Sequence, residues 1–203
     1  MLSVEEAQLL VEIPRGVPLM TPDGTIVTDA VLCAFDETLL ERLVATWLPL
    51  LEETDEDDRT WDWRGKRNEP CFVHELQHLA LVRGSEIEGV LMTSIAAAPP
   101  GPSKFNSLLY IEYLVVAPWN RAHLVADQRF KGVGPTMMRH AVHRSIALGH
   151  EGCIGLHSEP HAVQFYETKA KLVNRGSDLA EGMRDYFEGD SAWAEAFLSR
   201  GLK

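Results

Sequence analysis

Residues 108–118 read LLYIEYLVVAP and residues 129–149 read RFKGVGPTMMRHAVHRSIALG, and the succession of these two stretches decides the fold. The first is a short apolar run of Leu, Tyr, Ile and Val, the composition of a buried strand, which Pro118 ends. The second opens on Gly132 and Gly134, which let a backbone turn sharply and approach a ligand with no Cβ in the way. Met138, Ala141, Val142, Ser145 and Ile146 then recur on one helical face. Pro135 falls in the first turn, where proline is tolerated, and Gly149 marks the stop. A helix entered through such a loop offers unpaired N–H groups and the positive end of its dipole, a site for a phosphate or pyrophosphate.

Outward from this unit, CIGLHS at 153–158 predicts a short strand, followed by a helix holding Ala162, Phe165 and Tyr166 and a strand around Met183 to Glu188. Trp193, Ala194, Phe197 and Leu198 mark a last amphipathic helix. Upstream, residues 73–82 and 87–94 flank Gly84 and Ser85 as two strands joined by a tight hairpin, and residues 96–103 are a loop. From Asp36, the residues Leu40, Leu43, Val44, Trp47, Leu48 and Leu51 repeat at helical spacing, with Pro49 expected to kink or end the helix. Ser3 with Glu6 fits a capping box, after which Pro14, Pro18, Pro22 and Gly24 break any regular element. Residues 1–35 therefore predict an arm packed on one domain spanning 36–203. Strands and helices interleave without an internal repeat, which predicts an α+β layer structure.

Hydrophobic residues make up 45% of the 203 and charged residues 24%, enough apolar material for a core that needs no disulfides or metals. Thirty acidic against 19 basic residues leave a net charge of −11, which disfavours a nucleic acid or an anionic membrane as partner and favours cationic ones. Cys33, Cys71 and Cys153 are odd in number and form no CxxC pair, as suits reduced thiols. Glu5 and Glu6 stand where a secretory signal carries basic residues, and no apolar run approaches the roughly 20 residues that span a bilayer. The expectation is a soluble cytoplasmic protein. Glu52, Glu53, Asp55, Glu56, Asp57 and Asp58 read as a solvated acidic loop ahead of Trp61 and Trp63.

Two motifs resemble the GNAT superfamily of acyl-CoA N-acyltransferases. The run Arg129-Phe130-Lys131-Gly132-Val133-Gly134 between strand and helix is similar to the family's Arg/Gln-x-x-Gly-x-Gly/Ala fingerprint, and Ala162-Val163-Gln164-Phe165-Tyr166-Glu167 is similar to its second motif. The resemblance covers residues 73–188. It departs from the family pattern in the longer polar segment 117–128 and in Thr168, Lys169, Ala170 and Lys171, which replace a common Gly-Phe. It implies a central mixed, largely antiparallel sheet flanked by helices, and an acetyl-CoA-dependent N-acetyltransferase acting by direct attack of a primary amine, on a small molecule or a peptide, with no metal. It further implies that the backbone of Leu114, Val115 and Val116 pairs with the pantetheine arm. The amides from Phe130 to Thr136, a run that includes Pro135, would hold the pyrophosphate, with charge from Arg129 and Lys131. Tyr166 would protonate the leaving thiolate. Homodimers are frequent in the family.

An amine with a pKa of about 10.4 is neutral only rarely at pH 7, a handicap of roughly 4–5 kcal/mol, so a base or a desolvating site is useful. Glu112, on the strand leading to the cofactor, is the first candidate, although Tyr113 can face the site instead. His157 is the second because imidazole titrates near neutrality, with Glu159 to orient it or the substrate. The Val116 amide suits the oxyanion. The acidic loop with Trp61 and Trp63 suits a cationic or aromatic acceptor. A second class of function is an acyl-CoA-binding regulatory module without catalysis. A third is a zinc hydrolase built on His74-Glu75-Leu76-Gln77-His78, an HExxH pattern that needs a helix but continues into a strand-like LALVRG.

Overall fold

The computed structural model of the chain describes residues 15–68, 76–96 and 102–200. Among them, β1 (Arg15–Met20), β2 (Ile26–Ala34), β3 (Gln77–Arg83), β4 (Glu86–Ala96), β5 (Leu108–Val116), β6 (Ile154–Ser158), β7 (Val173–Asp178) and β8 (Arg184–Gly189) form one sheet, ordered β1-β2-β3-β4-β5-β6-β8-β7. Every neighbouring pair is antiparallel except β5 with β6. The fold is thus mixed α+β on a largely antiparallel sheet.

Alternation along the strands supplies both faces of the sheet with apolar side chains. On β3, Leu79 and Leu81 enter one core while Ala80 and Val82 enter the other, as a period of two requires. The first core is covered by α3 (Val133–Ala147) and α4 (Ser191–Ser199), through Met137, Met138, Ala141, Val142, Trp193 and Phe197. The second is covered by α1 (Glu37–Leu51) and α2 (Trp63–Asn68), through Leu40, Leu43, Trp47, Leu51 and Trp63. Full burial of an aliphatic side chain of this kind contributes about 1.5–3 kcal/mol, so these few positions hold each helix to the sheet. Asp36 caps α1 by accepting from the Leu39 N–H at 2.9 Å, and Pro49 is accommodated in its last turn.

The structure departs from expectation at four points. Residues 15–34 are two sheet strands rather than an irregular arm. Pro18 lies in β1, an edge strand, where a missing N–H removes no necessary ladder bond. β7 was not foreseen: its VNRGSD lacks alternating apolar residues because it too is an edge. The expected helix around Tyr166 is instead a short 3₁₀ turn, Pro160–Ala162, followed by a π-helical turn, Phe165–Ala170. Ile146, read as part of the inner face of α3, is exposed.

The strand pair that positions the site is the parallel one. β5 is in register with β6 only at Leu109 and Tyr110, while β6 stays paired with β8 along its whole length. From Ile111 onward β5 leaves β6, and the sheet opens between them.

Candidate functional site in the gap between two strands

A cleft of about 1660 Å³ occupies this opening, and it is lined from both faces of the sheet. Phe165, Tyr166 and Phe197 come from the α3 side, whereas Trp61, Asp58 and His157 come from the other. Backbone geometry explains why β5 can offer groups to it. Met92 pairs with Tyr113 and Thr93 with Ile111, so Glu112 is an extra residue, a β-bulge that reverses which residues face the open side. Beyond the bulge, the Val115 carbonyl faces Gly89 of β4, while the Val116 carbonyl accepts from Arg121 Nε at 2.9 Å. Since alternate residues direct their N–H and C=O groups to opposite sides, Leu114 and Val116 face the gap and Val115 does not.

The glycine loop turns the chain into α3. Gly132 adopts φ +74° as the N-cap residue of α3, a left-handed conformation that glycine takes without strain. The Phe130 N–H donates to Asn120 Oδ1 at 2.9 Å and the Lys131 N–H to the Met20 carbonyl at 2.7 Å. The Thr136 N–H closes the first helical bond to Gly132, and Pro135 has none. Only Gly132, Val133 and Gly134 therefore present amides as an anion cradle, three in place of the longer run. Thr136 is buried beneath the helix, outside the cleft lining. Arg129 lies outside it as well: its guanidinium stacks 4.5 Å from the Trp119 ring and reaches Glu86 at 3.7 Å. Positive charge comes instead from Lys131 and from residues the sequence reading missed, Arg139, Lys169, Lys171 and Arg200. Arg200 donates to the Lys169 carbonyl and Arg139 to that of Leu198, so α4 and the π-helical turn bring them to this end. Nothing in their sequence spacing joins them.

Tyr166 lines the cleft between Phe165 and Phe187, with ring centroids 5.1 and 5.7 Å away. Burial, and then the charge of Glu159, pushes its hydroxyl well above the ordinary tyrosine range, so it is protonated at neutral pH. Glu112 accepts from Ser94 Oγ at 2.5 Å and lines the cleft with Tyr113. His157 is engaged at both nitrogens, by Tyr110 Oη at 2.7 Å and by Asp178 Oδ2 at 3.3 Å. Burial holds its pKa below the ordinary histidine value, against the opposing pull of Glu181 and Asp178. Glu159 is ion-paired with Arg184 at 2.9 Å rather than with His157.

The acidic loop is not simply solvated. Glu56 and Asp58 are 8% and 4% exposed and grip Arg121, at 2.6 Å and 2.5 Å. Glu56 also accepts from His123 at 2.7 Å, and Asp57 pairs with His161 at 3.0 Å. The segment 117–128 thereby becomes one wall of the cleft, through Asn120, Arg121, His123 and Gln128. Trp61 packs on Tyr113 at 5.2 Å, and the Lys66 ammonium sits 4.3 and 4.0 Å from their ring centroids. His78 of the HExxH pattern lies on β3, and burial lowers its pKa; His74 and Glu75 lie outside the described residues. Among the described residues, no three His, Cys, Asp or Glu side chains converge as a metal site, and no helix is long and apolar enough to cross a membrane.

No family model matches the chain, and no curated protein matches it. A solved structure described as the crystal structure of a bacterial toxin is similar at a TM-score of 0.48 and 13% identity, over 71% of this chain and 81% of that one.

Proposed function

We propose that the chain is a GNAT-type N-acetyltransferase that moves an acetyl group from acetyl-CoA to a primary amine. The observation that carries the reading is the departure of β5 from β6 beside the amides of Gly132, Val133 and Gly134, with Tyr166 lining the same gap. These groups fit the donor. The three amides and the helix dipole suit a pyrophosphate, and the cations of α3, α4 and the π-helical turn add long-range attraction. The edge groups of Leu114 suit an extended amide-containing arm, in the manner of strand addition, while the Val116 carbonyl is held by Arg121.

Bound acetyl-CoA supplies an activated thioester. The Val116 N–H, on the open side of β5, suits the developing oxyanion. Tyr166 keeps its proton at neutral pH and so donates to the leaving sulfur. Glu112 draws an ammonium toward the bulge. The acceptor end carries Glu56, Asp57, Glu159 and Glu181, which favour a cationic amine over an anionic one. In this reading the protein works in the cytoplasm, and the free thiols Cys33 and Cys153 are consistent with such a reducing compartment.

Calorimetric titration of the chelator-treated protein with acetyl-CoA tests the proposal. Micromolar binding is expected, followed by thiol release with members of an amine panel. A Cβ at Gly134 would point at Leu114, Val116 and Phe165, 3.6–3.8 Å away, so Gly134→Trp fills the cleft and abolishes binding. Absence of acetyl-CoA binding by the wild type, or equal binding by Gly134→Trp, overturns the reading.

A further inference from the structure

The ring of His157 has a hydrogen-bond partner at each nitrogen, and the two partners fix its tautomer. Asp178 carries a carboxylate, which only accepts, so Nε2 bears the hydrogen and donates to it across 3.3 Å. Nδ1 is then the lone-pair nitrogen and accepts from the Tyr110 hydroxyl at 2.7 Å. With its side chain 3% exposed and both nitrogens committed, His157 does not itself meet a substrate. Tyr110 also lines the cleft, and its phenolic oxygen keeps acceptor capacity after donating to His157. The arrangement is a chain of three groups, hydroxyl, imidazole and carboxylate, drawn from β5, β6 and the end of β7. It is the logic of a hydroxyl activated by an oriented imidazole, with a phenol as the terminal group.

We infer that Tyr110 is the group that takes the proton from the acceptor amine, and that His157 and Asp178 act through it as positioning residues. The inference rests on the acetyltransferase reading above. The ammonium first releases one proton to water. As the neutral amine nitrogen then bonds to the acyl carbon and the C–S bond breaks, the nitrogen gives its second proton to Tyr110 Oη while the Tyr110 hydrogen passes to His157 Nδ1. The departing thiolate takes its proton from Tyr166, which recovers one from water, and the imidazolium later returns its proton to water. Tyr110 is neutral before and after. That matters because burial and the nearby charge of Glu112 push its ionisation far above the ordinary range, so a phenolate is excluded. The charge formed is on His157, where Asp178 faces it. The other titratable or charged groups around that ring are Tyr186 and Arg184 of β8 and Glu181 in the turn before it.

Two measurements test this, with acetyl-CoA and spermidine, lysine and a free-amine peptide as probes. Nitrogen NMR of the imidazoles, assigned with His157→Gln, is expected to show the neutral Nε2–H form of His157 at pH 7, titrating below the ordinary histidine range. Asp178→Asn should move that titration, and the acid limb of kcat, to still lower pH, because the imidazolium loses its counter-charge. Tyr110→Phe should lower kcat about 100-fold while acetyl-CoA Kd and amine KM change less than threefold. An Nδ1–H tautomer, or Tyr110→Phe with kcat within threefold of an active wild type, overturns the relay and leaves the acetyltransferase reading intact. A wild type that binds no acetyl-CoA and releases no thiol with any probe overturns both.

Discussion

At Arg121 a guanidinium 9% exposed meets two carboxylates from a loop more than sixty residues earlier in the chain. In the sequence Arg121 is one cation in a polar stretch, and Glu56 and Asp58 are two of six acids that read as solvated. The structure buries them because one guanidinium can satisfy both carboxylates and the Val116 carbonyl at once. Removing one member strands the others: Arg121→Met is expected to cost about 3–5 kcal/mol in urea unfolding, and a cost below 1 kcal/mol would contradict this account. Glu56 adds a pH signature. Burial pushes its pKa up, but the bonds and charges of His123 and Arg121 outweigh that and hold it below the ordinary value of 4.5. Its contribution is thus complete above that value and lost as pH falls through the lower folded value. Thermal unfolding between pH 6 and pH 3 should show this loss in the wild type, and a visibly flatter profile in Glu56→Gln.

Between elements, Asn120 ties the glycine loop to the sheet. Its Nδ2 donates to Glu88 of β4 at 2.7 Å, its Oδ1 accepts from the Phe130 N–H, and its carbonyl accepts from Gln128. Asn120→Ala leaves a buried amide unpartnered and Glu88 with one donor fewer, a cost of about 1–3 kcal/mol. The loop then loses its anchor, so acetyl-CoA affinity should fall in calorimetry more than spermidine KM rises; an unchanged affinity would detach Asn120 from the site. Elements with strong patterns, namely α1, β5, α3 and α4, stand where their patterns put them, because each helix buries one apolar face and β5 is apolar on both. β1 and β7 carry no such signature. An edge strand buries less and tolerates proline and polar residues, so its sequence resembles a loop.

Across the whole molecule, the cleft depends on how far two parallel strands stay together. β5 is nine residues long and β6 five, with Pro160 soon after β6, so the opening suits the strand lengths; its direction does not follow from them. The sequence by itself determined the succession of strand, glycine turn and helix from β5 to α3, and it offered Tyr166, Glu112 and His157 as candidates within the unit running from β5 onward. Those are local properties, written in periodicity, in the absence of a Cβ and in short separations along the chain. Only the tertiary structure decided that Leu114 and Val116 face the gap, because a one-residue bulge at Glu112 reverses the strand and leaves no mark in composition. The same holds for Arg129, turned away onto Trp119, and for Tyr110, joined to His157 and Asp178. Each of these outcomes is a choice among long-range partners, and it is set by which groups could be satisfied once the core had closed around them.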